Sequence, residues 1–141
     1  MARIRIELPA GKLFTATIPV RITDINYGNH LGNDALVSIL HEARMQWLRS
    51  GGYTELAIEG IGLIMSDLGI EYKKEGFYGD QLTVNLSLGE QSASSFELFY
   101  EVKNQEDALV AKAKTGMICY DYSLKKVTAI PTAFAEFLLG R

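Results

Sequence analysis

Strict alternation of apolar and polar residues marks three stretches of the chain and predicts three strands that each bury one face. The apolar positions are Phe14, Ala16, Ile18, Val20 and Ile22, then Leu82, Val84, Leu86 and Leu88, then Phe96, Leu98, Tyr100 and Val102. Pro19 cannot donate to a β-ladder, so the first strand is expected to have an edge or a bulge there. Further strands are predicted over 108–121, over 61–74 with an interruption around Ser66-Asp67, and over 2–8.

One segment has the period of a helix. From Asp34 to Ser50, apolar residues recur at helical spacing, at Leu36, Leu40, Ala43 and Trp47, and flanking apolar residues widen this stripe until we expect a largely enclosed helix. Asn33 is predicted to be its N-cap, and Gly51-Gly52 are predicted to end it. A second, short helix is predicted from Thr132 to Leu139.

Short connections with turn residues join the later strands, so these strands are expected to form an antiparallel meander. One curved antiparallel sheet wrapped around one long central helix is the economical way to bury both elements, which predicts an α+β fold. The 141 residues are long enough for one domain, spanning 1–141, with a core of its own.

Composition excludes several classes of function. A net charge of -3 argues against a nucleic-acid partner, and no apolar stretch approaches bilayer length, so no membrane span is expected. The single cysteine, Cys119, excludes an intrachain disulfide framework and favours a reducing compartment, so cytoplasm is the expected location. We interpret Cys119 as a core residue. Two histidines without ligand spacing make a metal site unexpected, and the motifs of serine hydrolases and phosphate-binding loops are absent from the sequence.

Polar residues concentrate where the first strand hands over to the long helix, in the segment Asp24-Ile25-Asn26-Tyr27-Gly28-Asn29-His30-Leu31-Gly32-Asn33. The first turn of a helix leaves backbone N–H groups unpaired, and these groups can polarise a carbonyl or hold an oxyanion. A nearby imidazole or carboxylate can activate water. This combination suits acyl chemistry.

The same segment resembles the hot-dog thioesterases, a family that includes 4-hydroxybenzoyl-CoA thioesterase, short-chain acyl-CoA thioesterases and plant acyl-ACP thioesterases. Their pattern Asp-x-Asp-x-x-x-His-[Val/Leu]-Asn-Asn is similar to Asp24-x-Asn26-x-x-x-His30-Leu31-Gly32-Asn33. The helix residues Glu42-Ala43-Arg44 and the later Gly79-Asp80-Gln81-Leu82 also resemble family motifs. The likeness covers nearly the whole chain and implies a hot-dog fold and thioester hydrolysis without a cofactor.

The resemblance also implies site residues. His30 matches a catalytic histidine of the acyl-ACP branch, Glu75 matches the glutamate that serves there as base, and Asn33 lies where the family offers a backbone N–H to the thioester carbonyl. Two departures matter, because position 26 is asparagine where many relatives have the catalytic aspartate and position 28 is glycine where the acyl-ACP branch has asparagine. Since a neutral amide is not a base, Asn26 is expected to orient water or substrate. Glu75 is then expected to act as the general base, with His30 polarising the water or the carbonyl.

The remaining candidates have a structural interpretation beside the functional one. Tyr27, Asn29, Trp47, Met65 and Tyr78 are candidates for substrate contacts, although such residues more often belong to a core or an interface. His41 and Asp24 are expected to be structural, Asp24 having a second interpretation as a substitute base. Lys73 and Lys74 fit a solvated strand end better than a contact with coenzyme A phosphates.

The expected partner is an acyl group carried by coenzyme A or acyl carrier protein. A homodimer or a dimer-of-dimers tetramer is expected, because one sheet around one helix leaves strand edges to be covered and the related families pair their sheets. Two alternatives remain open. One is a hydratase or dehydratase of the same fold acting on enoyl or 3-hydroxyacyl thioesters, and the other is a non-catalytic domain that binds acyl thioesters or serves in assembly.

Overall fold

A computed structural model describes residues 2–141 and contains one antiparallel sheet wrapped around one long helix. The strands are β1 (Phe14–Pro19), β2 (Gly62–Tyr72), β3 (Gln81–Gln91), β4 (Ser95–Lys103), β5 (Leu109–Asp121) and β6 (Lys126–Val127), and the helices are α1 (Asn33–Ser50) and α2 (Thr132–Leu138). The order across the sheet is β1-β3-β4-β5-β2, with the short β6 paired to the end of β5. The predicted α+β hot-dog architecture is confirmed.

The meander β3-β4-β5 and the interruption in β2 are as the sequence predicts. All pairings in the sheet are antiparallel, and the register of β2 on β5 shifts between Met65 and Asp67, which places a bulge at Ser66. β1 lies at one edge of the sheet, so the missing N–H of Pro19 interrupts no continuing ladder.

Three expectations about the elements are wrong. Residues 2–8 form no strand in the described part of the chain, where instead Ile6 lies against the sheet and its N–H donates to the Glu71 carboxylate over 3.1 Å. β1 ends at Pro19, so Ile22 lies in a 3-10 turn and is exposed. α1 begins at Asn33 with Gly32 as its N-cap, one residue before the predicted cap.

The concave face of the sheet and one face of α1 form the core. Alternating β-strand residues such as Leu82, Val84 and Leu86 meet the helix stripe of Leu36, Leu40, Ala43 and Trp47, all fully buried. The expectation of a largely enclosed helix is only half met, because Val37 and Met45 at the stripe's margins stay partly exposed and the opposite helix face is open. Cys119 is buried in this core, as predicted, and burial raises the pKa of its thiol to about 11.

Neither helix within residues 2–141 has the length and apolarity required to cross a bilayer.

Candidate active site

The polar segment before α1 is a closed loop held by its own backbone. The Gly32 N–H donates to the Asp24 carbonyl over 2.9 Å, and the Asn26 N–H donates to the His30 carbonyl over 2.9 Å. Asp24 itself is buried, and its carboxylate accepts the Arg21 backbone N–H at 2.8 Å. Asp24 therefore fixes the entrance of the loop, in agreement with its structural interpretation.

The side chain of Asn26 shapes the tip of the loop. Its Oδ1 accepts the Gly28 N–H at 2.9 Å and the His30 N–H at 3.3 Å, while the Asn29 N–H donates to the Asn26 carbonyl over 3.1 Å. Asn29 has a φ of 64°, a left-handed conformation that asparagine tolerates better than most residues. The amide oxygen of Asn26 is thus used within the loop.

A second loop, residues 73–80, lies directly against the first. The Leu31 N–H donates to the Gly76 carbonyl over 2.8 Å, and a Cβ on Gly76 would lie only 3.0 Å from the Leu31 side chain. The turn itself is fixed by Asp80, whose Oδ2 accepts the Phe77 N–H at 3.0 Å. This close approach brings Glu75, distant in sequence, beside His30.

His30 and Glu75, predicted as catalytic partners, form a pair at the surface. The His30 Nδ1 lies 2.9 Å from the Glu75 Oε2, but Nδ1 makes no aligned hydrogen bond, so the contact is a close polar pair rather than a directed bond. The His30 side chain is 37% exposed and that of Glu75 is 65% exposed, so solvent reaches both. The Phe77 ring lies 5.6 Å from the imidazole, centroid to centroid.

The start of α1 carries free amide groups. Gly32 provides no side-chain cap, and among residues 2–141 the backbone N–H groups of Asn33, Asp34 and Ala35 have no hydrogen-bond partner. A Cβ at Gly32 would lie 2.7 Å from the Asp34 Oδ1, so a larger residue there would displace the Asp34 side chain. These N–H groups and the positive end of the helix dipole can hold a carbonyl oxygen or an oxyanion.

Sequence reasoning missed Phe77 and Tyr72, which border this site. The Tyr72 hydroxyl lies 3.5 Å from the Asn33 carbonyl, and burial together with the Asp34 carboxylate raises the pKa of the phenol. Both are exposed aromatic residues at strand and turn ends. The available signal was their closeness in sequence to Glu75, three residues after Tyr72 and two before Phe77.

The five predicted substrate contacts are not brought together. Tyr27 is fully exposed at the tip of the first loop, where Asn29 forms the turn, and Tyr78 projects from the second loop. Met65 lies on β2 and lines a separate cavity. Trp47 is buried, stacked on Phe137 with ring centroids 5.0 Å apart, and lies about 21 Å along the helix from Asn33. Within one chain, Trp47 is a core residue.

Comparison with known proteins gives consistent matches. Residues 20–138 match the family described as the Thioesterase-like superfamily. A protein of Aquifex aeolicus (strain VF5) that carries the provisional name of an esterase is 36% identical over 99 residues, covering 69% of this chain and 75% of that protein. A 1,4-dihydroxy-2-naphthoyl-CoA hydrolase of Synechocystis sp. is 28% identical over 122 residues, covering 84% and 88%.

A solved structure has the same fold. The crystal structure of a 1,4-dihydroxy-2-naphthoyl-CoA thioesterase from Synechocystis superposes with a TM-score of 0.82 at 24% identity, covering 89% of this chain and 95% of that one. The family match spans both site loops and all of α1. The chain therefore belongs to the thioesterase-like superfamily and is an enzyme of the thioesterase class, built on the hot-dog fold.

Proposed function

We propose that this protein hydrolyses acyl thioesters of coenzyme A or acyl carrier protein, giving a carboxylic acid and a free thiol. The observation that carries this proposal is that two features lie together: the free N–H groups at the start of α1, and the His30–Glu75 pair, whose histidine is three residues before Asn33. One feature suits the carbonyl oxygen and the other suits the attacking water.

In the proposed mechanism, the thioester carbonyl oxygen accepts hydrogen bonds from the N–H groups of Asn33 and Asp34. As water attacks the carbonyl carbon, negative charge develops on that oxygen, and the fixed amides and helix dipole stabilise it. Because these donors are held by the helix, they need little reorganisation during the reaction.

Glu75 is the proposed base. Its carboxylate accepts a proton from water while the water oxygen bonds to the carbonyl carbon, and His30 beside it orients the carboxylate or the water. When the tetrahedral intermediate collapses, the C–S bond breaks and the proton passes from Glu75 to the departing sulfur. Asn26 takes no proton, and its part is to hold the loop that presents His30.

The relatives support the proposed substrate class. The similar protein of Synechocystis sp. is named as a hydrolase of 1,4-dihydroxy-2-naphthoyl-CoA, which supports a coenzyme A thioester here as well. The exposed rings of Tyr27, Phe77 and Tyr78 around the two loops offer apolar contacts to a bound thioester. No cofactor enters the proposed mechanism.

The proposed active form is a homodimer or a dimer of such dimers. The β2 strand is eleven residues long and lies at an edge of the sheet, where unpaired N–H and C=O groups favour pairing with a second copy. Light scattering of the purified protein would give the mass, and a monomer at assay concentration would contradict this part of the proposal.

The test is thiol release from a panel of acyl-CoA substrates by the wild type and by Glu75→Gln and His30→Ala. We expect each variant to lower kcat by about a hundredfold or more, the usual contribution of general acid–base groups. Glu106→Gln, an exposed glutamate distant in sequence from the two site loops, is the matched control.

Other outcomes separate the alternatives. If both site variants keep wild-type rates, the assignment of Glu75 and His30 is wrong. Hydration of an enoyl thioester without thiol release would favour the hydratase, and tight binding without turnover would favour a non-catalytic domain.

A further inference from the structure

The space between α1 and β2, here called the groove, begins beside the proposed active site and includes a cavity further along the helix. At one end, the Tyr72 hydroxyl of β2 lies near the Asn33 carbonyl at the helix start. Further along, the two elements enclose a cavity of about 250 Å³. Its apolar lining consists of Val37, Leu40, Leu63, Met65 and Leu68.

The bulge at Ser66 gives the groove its apolar wall. In a regular strand, residues 65 and 68 would point to opposite faces, because side chains alternate. The register shift between Met65 and Asp67 adds one residue, so that Met65 and Leu68 both line the cavity. Both side chains are partly exposed, which leaves apolar surface open to a ligand.

The far end of the cavity is polar, and within it Arg44, Tyr100 and Thr115 are buried whereas His41 is exposed. The Arg44 side chain is 7% exposed, and its Nε donates to the Glu55 Oε2 over 2.7 Å while its Nη1 donates to the Tyr100 hydroxyl over 3.1 Å. That hydroxyl also bonds the Thr115 Oγ1 at 2.7 Å, and the His41 Nε2 lies 2.6 Å from the Glu55 Oε1. Arg44, Glu55, His41 and Thr115 all line the cavity.

The charges of this cluster are balanced, but its donors are not all used. Burial alone would raise the pKa of Glu55, yet the hydrogen bonds from Arg44 and His41 lower it, so the carboxylate stays ionised beside the guanidinium. Among residues 2–141, the Arg44 Nη2 has no hydrogen-bond partner. The cavity therefore ends at a neutralised cluster that still offers an N–H donor.

The length of the groove limits what fits. Val37 lies one turn beyond Asn33, and Arg44 lies about 16 Å from Asn33 along the helix axis. The Arg44 side chain leans back toward the helix N-terminus, which shortens this span to roughly 10–12 Å. An extended chain advances about 1.2 Å per bond, so a chain of about eight to ten bonds reaches from the carbonyl site to Arg44.

We propose that the groove between α1 and β2 holds the acyl group of the substrate, and that Arg44 binds an oxygen atom at its far end. The preferred substrates are then medium-chain acyl thioesters with a terminal hydroxyl or carbonyl group. This inference rests on the proposed function, because it takes the start of α1 as the carbonyl site. A terminal oxygen accepts from Nη2, whereas a terminal methyl group would leave that donor unpaired.

The first test compares octanoyl-CoA with ω-hydroxyoctanoyl-CoA. The wild type is expected to favour the hydroxylated substrate about three- to tenfold in kcat/KM, the effect of one added hydrogen bond. Arg44→Met keeps an unbranched side chain but has no N–H donor, and it is expected to abolish the preference. A structural role for Arg44 alone would lower Tm and leave the ratio between the two substrates at its wild-type value, which would overturn the inference.

A second test does not depend on the folding of an Arg44 variant. Val37→Trp fills the groove and is expected to lower the ratio of octanoyl-CoA to butyryl-CoA hydrolysis at least tenfold. Ser38→Trp adds the same bulk on the neighbouring, exposed helix position and is expected to keep the wild-type ratio. Equal ratios in the two variants would mean that the acyl group lies elsewhere.

Binding distinguishes failure of the groove from failure of hydrolysis. The unreactive thioethers S-octyl-CoA and S-(ω-hydroxyoctyl)-CoA are titrated into the wild type by calorimetry. Tighter binding of the hydroxylated thioether without any thioester turnover would support the groove and refute the proposed hydrolysis. Turnover with no preference in rate or binding would refute the groove and leave the hydrolysis intact.

Discussion

The two ends of α1 are built in opposite ways. At the C-terminal end, Trp47 is enclosed by the rings of Phe96, Phe134 and Phe137, so apolar packing holds the helix there. At the N-terminal end, beside Asn33, two exposed loops are held by backbone hydrogen bonds and close glycine contacts. The comparison shows that the two ends of one helix have different roles: the packed end contributes stability, and the other end carries the proposed active site. Free amides and solvent-accessible side chains are possible only where packing is sparse.

Disrupting the aromatic packing at the C-terminal end of α1 should have the largest effect on stability. Trp47→Ala empties the centre of the aromatic cluster and is expected to lower the free energy of unfolding by about 3–5 kcal/mol. Denaturant titration followed by circular dichroism measures the change. Met45→Ala, at a partly exposed position of the same helix, is the control and should cost clearly less. A similar loss of unfolding free energy in both variants would mean that the aromatic cluster does not contribute more to stability than the rest of the helix.

Arg44 lies between the two ends of α1, and removing the charge of its partner Glu55 should have the next largest effect on stability. Glu55→Gln leaves the buried Arg44 guanidinium without its counter-charge and is expected to cost about 2–3 kcal/mol near neutral pH.

The pH dependence of this loss has a definite sign. The folded state lowers the pKa of Glu55 below its usual 4.5, so its ionisation stabilises the fold above that pH, and the stabilisation is lost as pH falls through the folded value. The difference between wild type and Glu55→Gln should therefore shrink on acidification below about pH 4.5. Unfolding titrations across this range measure it, and the exposed Glu106→Gln should show no such pH dependence.

Disrupting the contact between the two site loops should lower stability less than the changes above and should also lower activity measurably. Gly76→Ala places a Cβ about 3.0 Å from Leu31 and is expected to cost about 1–2 kcal/mol while moving Glu75 away from His30. A fall of roughly tenfold in kcat should accompany it. Gly69→Ala, whose Cβ would meet its nearest atom at 4.0 Å, is the control. Unchanged kcat in Gly76→Ala would show that the loop contact does not position the pair.

The smallest effect is expected at Asn26. Asn26→Ala removes the oxygen that accepts two backbone N–H groups and should cost about 1 kcal/mol, because the site is exposed. Asn26→Asp keeps an acceptor at the same place and should stay close to wild type in Tm. If Asn26→Ala has the same Tm as the wild type, the loop is held by its backbone hydrogen bonds alone.

The regular part of the fold was predictable because burial repeats with the period of each element. Alternation in β3 and β4 and the helical stripe from Leu36 to Trp47 are both set by one buried face, so the pattern shows directly in the residue types. The bulge at Ser66 was also visible as a break in alternation. The predicted strand over 2–8 failed because three alternating residues cannot distinguish a paired strand from an extended segment lying across the sheet.

The site was predictable only in part. The sequence segment around His30 indicated a functional loop, and its resemblance to a known family pointed to Glu75, which the structure places 2.9 Å away. Free N–H groups at the start of α1 were expected, but the predicted cap at Asn33 was wrong, because the observed cap is Gly32, which has no side chain to signal it. The cluster around Arg44 was missed because its members come from the helix, a loop and two strands, and only the fold brings them into contact.

The burial of the single cysteine has a practical consequence for experiments on this enzyme. With its thiol shielded and fully protonated at neutral pH, Cys119 should react slowly with maleimides and iodoacetamides. A cysteine introduced at Tyr27, at the exposed loop tip, would then take a fluorophore or spin label selectively. Such a probe would report ligand arrival at the loop without any need to remove the native sulfhydryl.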